Sequence, residues 1–218
     1  QPIVPLKCVD GIPTHYELLI RMVDDTGAII MPDVFIPAAE RYGLMVPIDR
    51  WVIRTAFRDA TAFLRAQTGI SLAINLSGNS LNDDTLLDFV LEEFESSGMP
   101  PKQVCFEITE TAAINSFERV SKFICALREV GCHFALDDFG NGVSSFTCLK
   151  HLPVDFLKID GSFVRDMAAE PVDHAMVAAI HEVGRIMGIR TIAECADTHG
   201  AIEQLRNLGV DYVQGDFI

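Results

Sequence analysis

A closed (β/α)8 barrel is the fold class this sequence predicts, and three observations predict it. Apolar, β-branched runs alternate with helix-period segments along nearly the whole chain. The connections are short, with no linker or low-complexity stretch. Eight strand-like runs fit within 218 residues, and none is followed by G-x-G-x-x-G, which weakens an open dinucleotide-binding sheet as the alternative.

The elements follow in order. Gln1 to Val4 reads as a short strand and Lys7 to Thr14 as a turn-rich excursion with Gly11 and Pro13. His15 to Met22 is a second strand, closed by the Asp24-Asp25-Thr26-Gly27 turn. Pro32 to Gly43 carries a helix, and a longer one runs from about Ile48 to Gln67, with Trp51, Ile53, Phe57 and Leu64 at helical spacing. Ile70 to Leu76 is a strand, followed by a helix from about Asp83 to Ser97 that Gly98 and Pro100-Pro101 stop. Val104 to Thr109 is the next strand, and Asn115 or Ser116 caps a helix to Val130 that Gly131 closes. His133 to Gly140 brings another strand and Ser144 to His151 a short helix. Asp155 to Asp160, Arg190 to Glu194 and Tyr212 to Ile218 complete the strands; helices over Val172 to Met187 and His199 to Leu208 lie between them.

Composition bounds the function. The chain is 49% hydrophobic and 22% charged, enough to bury a sizeable core. No apolar run reaches the ~18 residues of a membrane span, so direct membrane contact by this domain is not expected. A net charge of −14 argues against a nucleic-acid polymer as partner, but leaves room for a small phosphate ligand if metals supply positive charge. Six cysteines without C-x-x-C read as buried thiols of a reducing, cytoplasmic compartment. The six histidines show no zinc spacing and read as core or surface residues. The chain opens at Gln1 inside strand-like sequence, as expected of a domain excised from a longer protein.

The chemistry concentrates where each strand ends. His133-Phe134-Ala135-Leu136-Asp137-Asp138-Phe139-Gly140 runs apolar, then sets two carboxylates side by side. Adjacent strand residues face opposite ways, so both aspartates share a site only if the strand ends there. Two like charges at the mouth of a buried strand call for a cation between them. The alternative is that one caps the next helix and the other is solvated. Other strands repeat the pattern: Glu17, Asn75, Glu107, Lys158, Glu194 and Gln214 each sit in or at the end of an apolar run. Any one is explicable as a satisfied core group; seven strands doing so at the end where barrels carry their chemistry is not. Five carboxylates, two amides and one ammonium, without His or Cys, suit Mg²⁺ or Mn²⁺, and five converging acids suit two ions better than one. In Glu17-Leu18-Leu19-Ile20-Arg21, strand parity puts Glu17, Leu19 and Arg21 on one face, where Arg21 can clamp a phosphate; a surface salt bridge is the alternative.

These residues resemble a known family. Glu17-Leu18-Leu19-Ile20-Arg21 matches the E-x-L-x-R form of the EAL motif. Phe35-Ile36-Pro37, Asn75-Leu76-Ser77, Glu107-Ile108-Thr109-Glu110, Asp137-Asp138-Phe139-Gly140, Lys158-Ile159-Asp160, Ala193-Glu194 and Gln214-Gly215 stand around it in order. The chain is similar to the EAL-domain cyclic di-GMP phosphodiesterases over essentially its whole length. The resemblance implies one domain over residues 1–218, a modified TIM barrel whose first strand is antiparallel, acting on cyclic di-GMP to give linear pGpG. It implies two Mg²⁺ or Mn²⁺ ions on Glu17, Asn75, Glu107, Asp137 and Asp138, with Glu194 and Gln214 completing the site. It also implies Lys158 beside the attacking water, Glu17, Lys158 and Glu194 as catalytic residues, and Arg21, Leu19, Phe35, Pro37, Asp160 and Gln214 as contacts to substrate. Homodimerisation is common among such proteins.

Glu110 is implied to brace the loop after the Asp137 strand. Its spacing from Glu107 requires the strand to end near Thr109 and Glu110 to turn back toward Phe139–Ser145. The chain departs from the family pattern at Leu18 (usually Ala, read as a packing change), at Asn141 and Val143, and in Glu194-Cys195-Ala196-Asp197, which replaces E-G-V-E. Three other readings remain: a receptor that holds cyclic di-GMP without cutting it, a Schiff-base aldolase using Lys158, and a two-metal nuclease. The filled ligand positions, the acid-rich ring and the −14 charge argue against each in turn.

Overall fold

The computed structural model describes residues 1–6, 15–67, 69–141 and 146–218, with side chains in the last segment from Leu149. The excursion expected over 7–14, Val143, and the start of the helix expected from Ser144 lie outside the described residues, as do the side chains of Cys8 and Cys148.

The strands are β1 (Pro2–Pro5), β2 (His15–Leu18), β3 (Met22–Val23), β4 (Ile29–Ile30), β5 (Ser71–Leu76), β6 (Val104–Thr109), β7 (His133–Phe139), β8 (Phe156–Ile159), β9 (Arg190–Ala193) and β10 (Tyr212–Val213). Eight of them close a barrel in the order β1-β10-β9-β8-β7-β6-β5-β2. β1 runs antiparallel to both neighbours, and every other barrel pairing is parallel. Around it pack α1 (Pro32–Arg41), α2 (Met45–Ala66), α3 (Gly78–Leu81), α4 (Leu86–Ser97), α5 (Glu110–Asn115), α6 (Phe117–Val130), α7 (Phe146–His151), α8 (Gly161–Asp166), α9 (Pro171–Met187) and α10 (His199–Leu208). None is long and apolar enough to cross a membrane.

Strand parity splits the core in two. Outward residues such as Ile74, Phe106, Phe134, Leu136 and Leu157 join the helices in the large apolar layer. Inside the barrel, Ile3, Ala73, Cys105, Ala135, Phe156 and Ile192 form a separate small cluster. Two residues further along the same inward face come Asn75, Glu107, Asp137, Lys158 and Glu194. The apolar plug thus forms the floor of a polar mouth. Where the sequence closes α4, α6, α9 and α10 with glycine, the caps at Gly98, Gly131, Gly188 and Gly209 are left-handed.

Several boundaries differ from expectation. The strand expected over His15–Met22 leaves the barrel after Leu18, and Met22–Val23 pairs instead with Ile29–Ile30. The turn between them is self-sufficient: Asp24 Oδ1 accepts from the backbone N–H groups of Thr26 (2.8 Å) and Ala28 (2.9 Å). α4 begins at Leu86 rather than Asp83, because Asp83 Oδ1 accepts from Thr85 N (3.0 Å) and Thr85 Oγ1 (2.7 Å) in a turn that competes with helix. α2 starts earlier, at Met45, and the last strand stops at Val213. The short helices α3, α5 and α8 were not expected; each follows a barrel strand and starts at a hydroxyl or carboxylate cap on Ser77, Thr109 or Asp160. Cys105 and Cys132 are buried, but Cys125 is exposed and Cys195 half-buried, so the expectation of uniformly buried thiols does not hold.

Candidate active site

The mouth is built around one ammonium. Lys158 is 1% exposed, and its Nζ lies 2.8 Å from Glu107 Oε2, 2.8 Å from Glu194 Oε1, 3.2 Å from Asp137 Oδ1 and 3.4 Å from Glu17 Oε2. Burial acts to discharge this lysine; the four carboxylates override it and hold it charged. Burial pushes the Glu107 carboxyl well up, against the pull of Lys158. Glu17 is likewise buried, yet Lys158, Gln214 and Asn75 together hold it below its usual range. Its Oε1 accepts from Asn75 Nδ2 (2.7 Å) and its Oε2 from Gln214 Nε2 (2.6 Å).

Asp137 and Asp138 share this mouth by a route the sequence reading did not contain. The strand does not end between them. It continues to Phe139, with its register to β8 broken between Leu136 and Phe139, and Asp138 takes φ 55°. A left-handed residue inside a strand turns the next carboxylate to the same side at a conformational cost of about 1 kcal/mol or more. Asp137, Asp138 and Glu194 then each bring a carboxylate oxygen within 4.8 Å of one another, a group that could hold a metal ion. Burial and the charges of Asp137 and Asp160 push Asp138 up to about 6. Burial also raises Glu194, with Lys158 opposing and Asp137 assisting, to about 7.

The residues present fit divalent cations. Glu107 Oε1 and Gln214 Oε1 are buried and accept no hydrogen bond among the described residues, which is costly unless something cationic or donating meets them. The side chains able to ligate a cation there, five carboxylates and the amides of Asn75 and Gln214, would all do so through oxygen.

Other expected residues are placed as follows. Leu19 lines a cleft of about 320 Å³ with Glu17, Glu194 and Gln214. Arg21 does not line that cleft: with the strand ended at Leu18, it lines, together with Leu19, a second cavity against α2, and its Nη1 donates to the Ile20 carbonyl (2.9 Å). Phe35 is buried and Pro37 exposed; Pro32, Ile36 and Glu40 are the residues of α1 that line the cavity of about 260 Å³ beside Asn75. Asp160 caps α8, accepting from Ser162 N (2.7 Å) and from Asn141 Nδ2 (3.1 Å). Glu110 opens α5, and its Oε2 accepts from Gly140 N at 3.2 Å. Leu18 packs on the outer apolar layer, away from Glu17. Cys195 keeps φ 52° where the family pattern has glycine, and Arg165 Nη2 donates to its Sγ (3.2 Å). Asp197 Oδ1 accepts from Asp216 N (2.8 Å). Sequence reasoning missed Gln1, whose Oε1 accepts from Gln214 Nε2 (2.9 Å); nothing in a terminal glutamine signals a partner more than two hundred residues away.

Comparison with known proteins follows the same line. The profile of the family described as "EAL domain" matches residues 1–218. Cyclic di-GMP phosphodiesterase PdeB of Shewanella oneidensis is 42% identical over 199 residues, 91% of this chain and 23% of its own length. Cyclic di-GMP phosphodiesterase PdeA of Borreliella burgdorferi is 32% identical over 216 residues, 99% of this chain and 32% of its own. The chain therefore spans about a quarter to a third of these relatives. Among solved structures, the PaMucR phosphodiesterase in complex with c-di-GMP superposes with TM-score 0.93 at 32% identity, covering 100% of this chain and 87% of that one. The FimX EAL domain of Pseudomonas aeruginosa bound to c-di-GMP gives 0.88 at 28%, covering 100% and 86%.

Proposed function

The chain belongs to the EAL domain family, and we propose that it hydrolyses cyclic di-GMP to linear pGpG with two Mg²⁺ or Mn²⁺ ions held at the barrel mouth. The observation that carries this reading is the buried ring itself: four carboxylates on one ammonium, with Glu107 Oε1 accepting no hydrogen bond among the described residues. Glu17, Asn75 and Glu107 would hold one ion and Asp137, Asp138 and Glu194 the other, with Gln214 closing the ring. When bound, such ions polarise phosphoryl oxygens and make water a stronger acid.

The chain's own residues divide the remaining work. Lys158 fixes the acids in one geometry and would orient the nucleophilic water beside them. Glu194, 2.8 Å from Lys158 Nζ, is placed to take the proton that this water releases as its oxygen bonds to phosphorus and the ribose oxygen leaves. Leu19 walls the cleft, and the cavity beside Asn75 has room and apolar lining for one base. Arg21 provides an exposed guanidinium two residues from Leu19 for a substrate phosphate. Glu110 holds the Gly140 turn and with it Asp137 and Asp138. We place the domain in the cytoplasm, as one unit of a longer signalling protein that acts as a homodimer.

The test is a cyclic di-GMP hydrolysis assay with and without Mn²⁺. Production of pGpG that chelation stops supports the proposal; tight binding with no turnover in Mn²⁺ or Mg²⁺ overturns it in favour of a receptor.

A further inference from the structure

Helix α2 carries one acid among the apolar residues of its buried face. Met45, Asp49 and Ile53 follow at four-residue spacing, and Asp49 is 5% exposed. A carboxylate there is costly unless its oxygens are bonded. Three donors converge on Asp49 Oδ2: Ser77 N at 2.9 Å, Ser77 Oγ at 2.6 Å and Ser80 Oγ at 2.6 Å. All three come from one turn, the exit of β5 into α3. Ser77 is also the cap of that helix, accepting from Ser80 N (3.2 Å).

That turn is where Asn75 leaves the barrel. Asn75 is exposed at the rim, and its Nδ2 reaches Glu17 Oε1 at 2.7 Å. Leu76, between Asn75 and Ser77, is 3% exposed and packed in the outer layer. The backbone over these three residues is thus pinned by Leu76 on one side and by Asp49 beyond it. We propose that Asp49 is a positioning residue for the reaction, tying the Asn75-Leu76-Ser77 exit to α2 and so aiming the Asn75 amide at Glu17 and the mouth. A carboxylate oxygen suits the task because it accepts all three hydrogen bonds of the turn at one point. The inference rests on the proposed place of Asn75 among the metal-holding residues.

The experiment is a double-mutant cycle with two readouts: kcat and KM for cyclic di-GMP in Mn²⁺, and Mn²⁺ affinity of the substrate-free protein by titration calorimetry. Asp49→Ala should lower kcat and Mn²⁺ affinity by ~10–100-fold, the usual cost of removing a group that orients a ligand. Asp49→Asn, which keeps an acceptor oxygen, should recover most of the loss. In an Asn75→Ala background, Asp49→Ala should change neither quantity appreciably, because the residue through which it acts is gone. Loss of thermal stability alone, with kcat and Mn²⁺ affinity unchanged, overturns the proposal, and so does an effect that multiplies with that of Asn75→Ala. If Asp49→Ala fails to fold, Ser77→Ala, which removes the hydroxyl donor to Asp49, runs the same cycle with the same criteria. A wild-type protein that hydrolyses nothing defeats the phosphodiesterase reading, while the Mn²⁺ arm still decides on Asp49.

Discussion

Lys158 Nζ stands 2.8 Å from Glu107 Oε2, with both side chains 1% exposed, while the other oxygen of Glu107 accepts no hydrogen bond among the described residues. One ammonium is therefore the counter-ion of an acidic cluster it does not saturate. Removing one partner of a buried pair costs about 3–5 kcal/mol, because a charge is left behind.

Lys158→Met should accordingly lower kcat by about 100-fold or more, in the range of a lost proton-handling group, with a much smaller change in KM. Its melting temperature should fall in metal-free buffer and recover with Mn²⁺, as added cations replace the missing charge. A normal kcat with collapsed affinity would assign Lys158 a purely substrate-holding role.

Metal removal should abolish turnover. With Glu17, Glu107, Asp137, Asp138 and Glu194 around a single lysine, a phosphodiester meets net negative charge. Chelator should stop hydrolysis, and Ca²⁺ should support binding better than turnover, since its looser coordination positions water poorly. Asp137→Asn should cut both Mn²⁺ affinity and kcat by orders of magnitude while the fold persists. Undiminished hydrolysis in excess chelator would refute the two-metal reading.

Glu110→Ala removes the acceptor that holds Gly140 N. Activity or Mn²⁺ affinity should drop ~10–100-fold, and Glu110→Gln, which keeps an acceptor oxygen, should restore part of it. The check is calorimetric Mn²⁺ titration beside the assay; wild-type values for both in Glu110→Ala would leave the residue with a structural role at the start of α5 alone.

At the opposite end of the barrel, His15 packs edge-on against Phe156 and Tyr212 and hydrogen-bonds Ser71. Burial first, then Arg190 and His133, lower its pKa from 6.5 to about 4. A group whose folded pKa is depressed is protonated more readily in the unfolded chain, so stability is complete above pH ~6.5 and falls as pH drops toward 4. The shift corresponds to about 3 kcal/mol. Denaturant titrations of wild type and His15→Gln at pH 7.5 and 4.0 should show the wild type losing that much more than the variant. Equal losses would exclude His15 as the source.

How far each feature could be read from sequence depends on its range. The (β/α)8 class and the strand-end residues are local properties: period-2 alternation assigns Asn75, Glu107, Asp137 and Lys158 to one face, and the break after Thr109 turns Glu110 back. Parity failed where it was extended past the true strand end. Leu19 still reaches the cleft of Glu17 and Arg21 does not, because β2 ends at Leu18 and the Asp24 turn draws Met22–Val23 into its own hairpin. On α1 a motif marks Phe35 and Pro37, while Pro32, Ile36 and Glu40 line the cavity beside Asn75, a matter of packing that the motif does not carry.

The sequence by itself determined which residues end each strand on the inward face, since that follows from backbone geometry two residues at a time. Only the tertiary structure decided which of them meet. Barrel closure and stagger bring Lys158 against Glu17, 141 residues away, and Gln214 against Gln1 and Glu17. Both sheet curvature and the left-handed turn at Asp138 act between elements, and no local pattern encodes them.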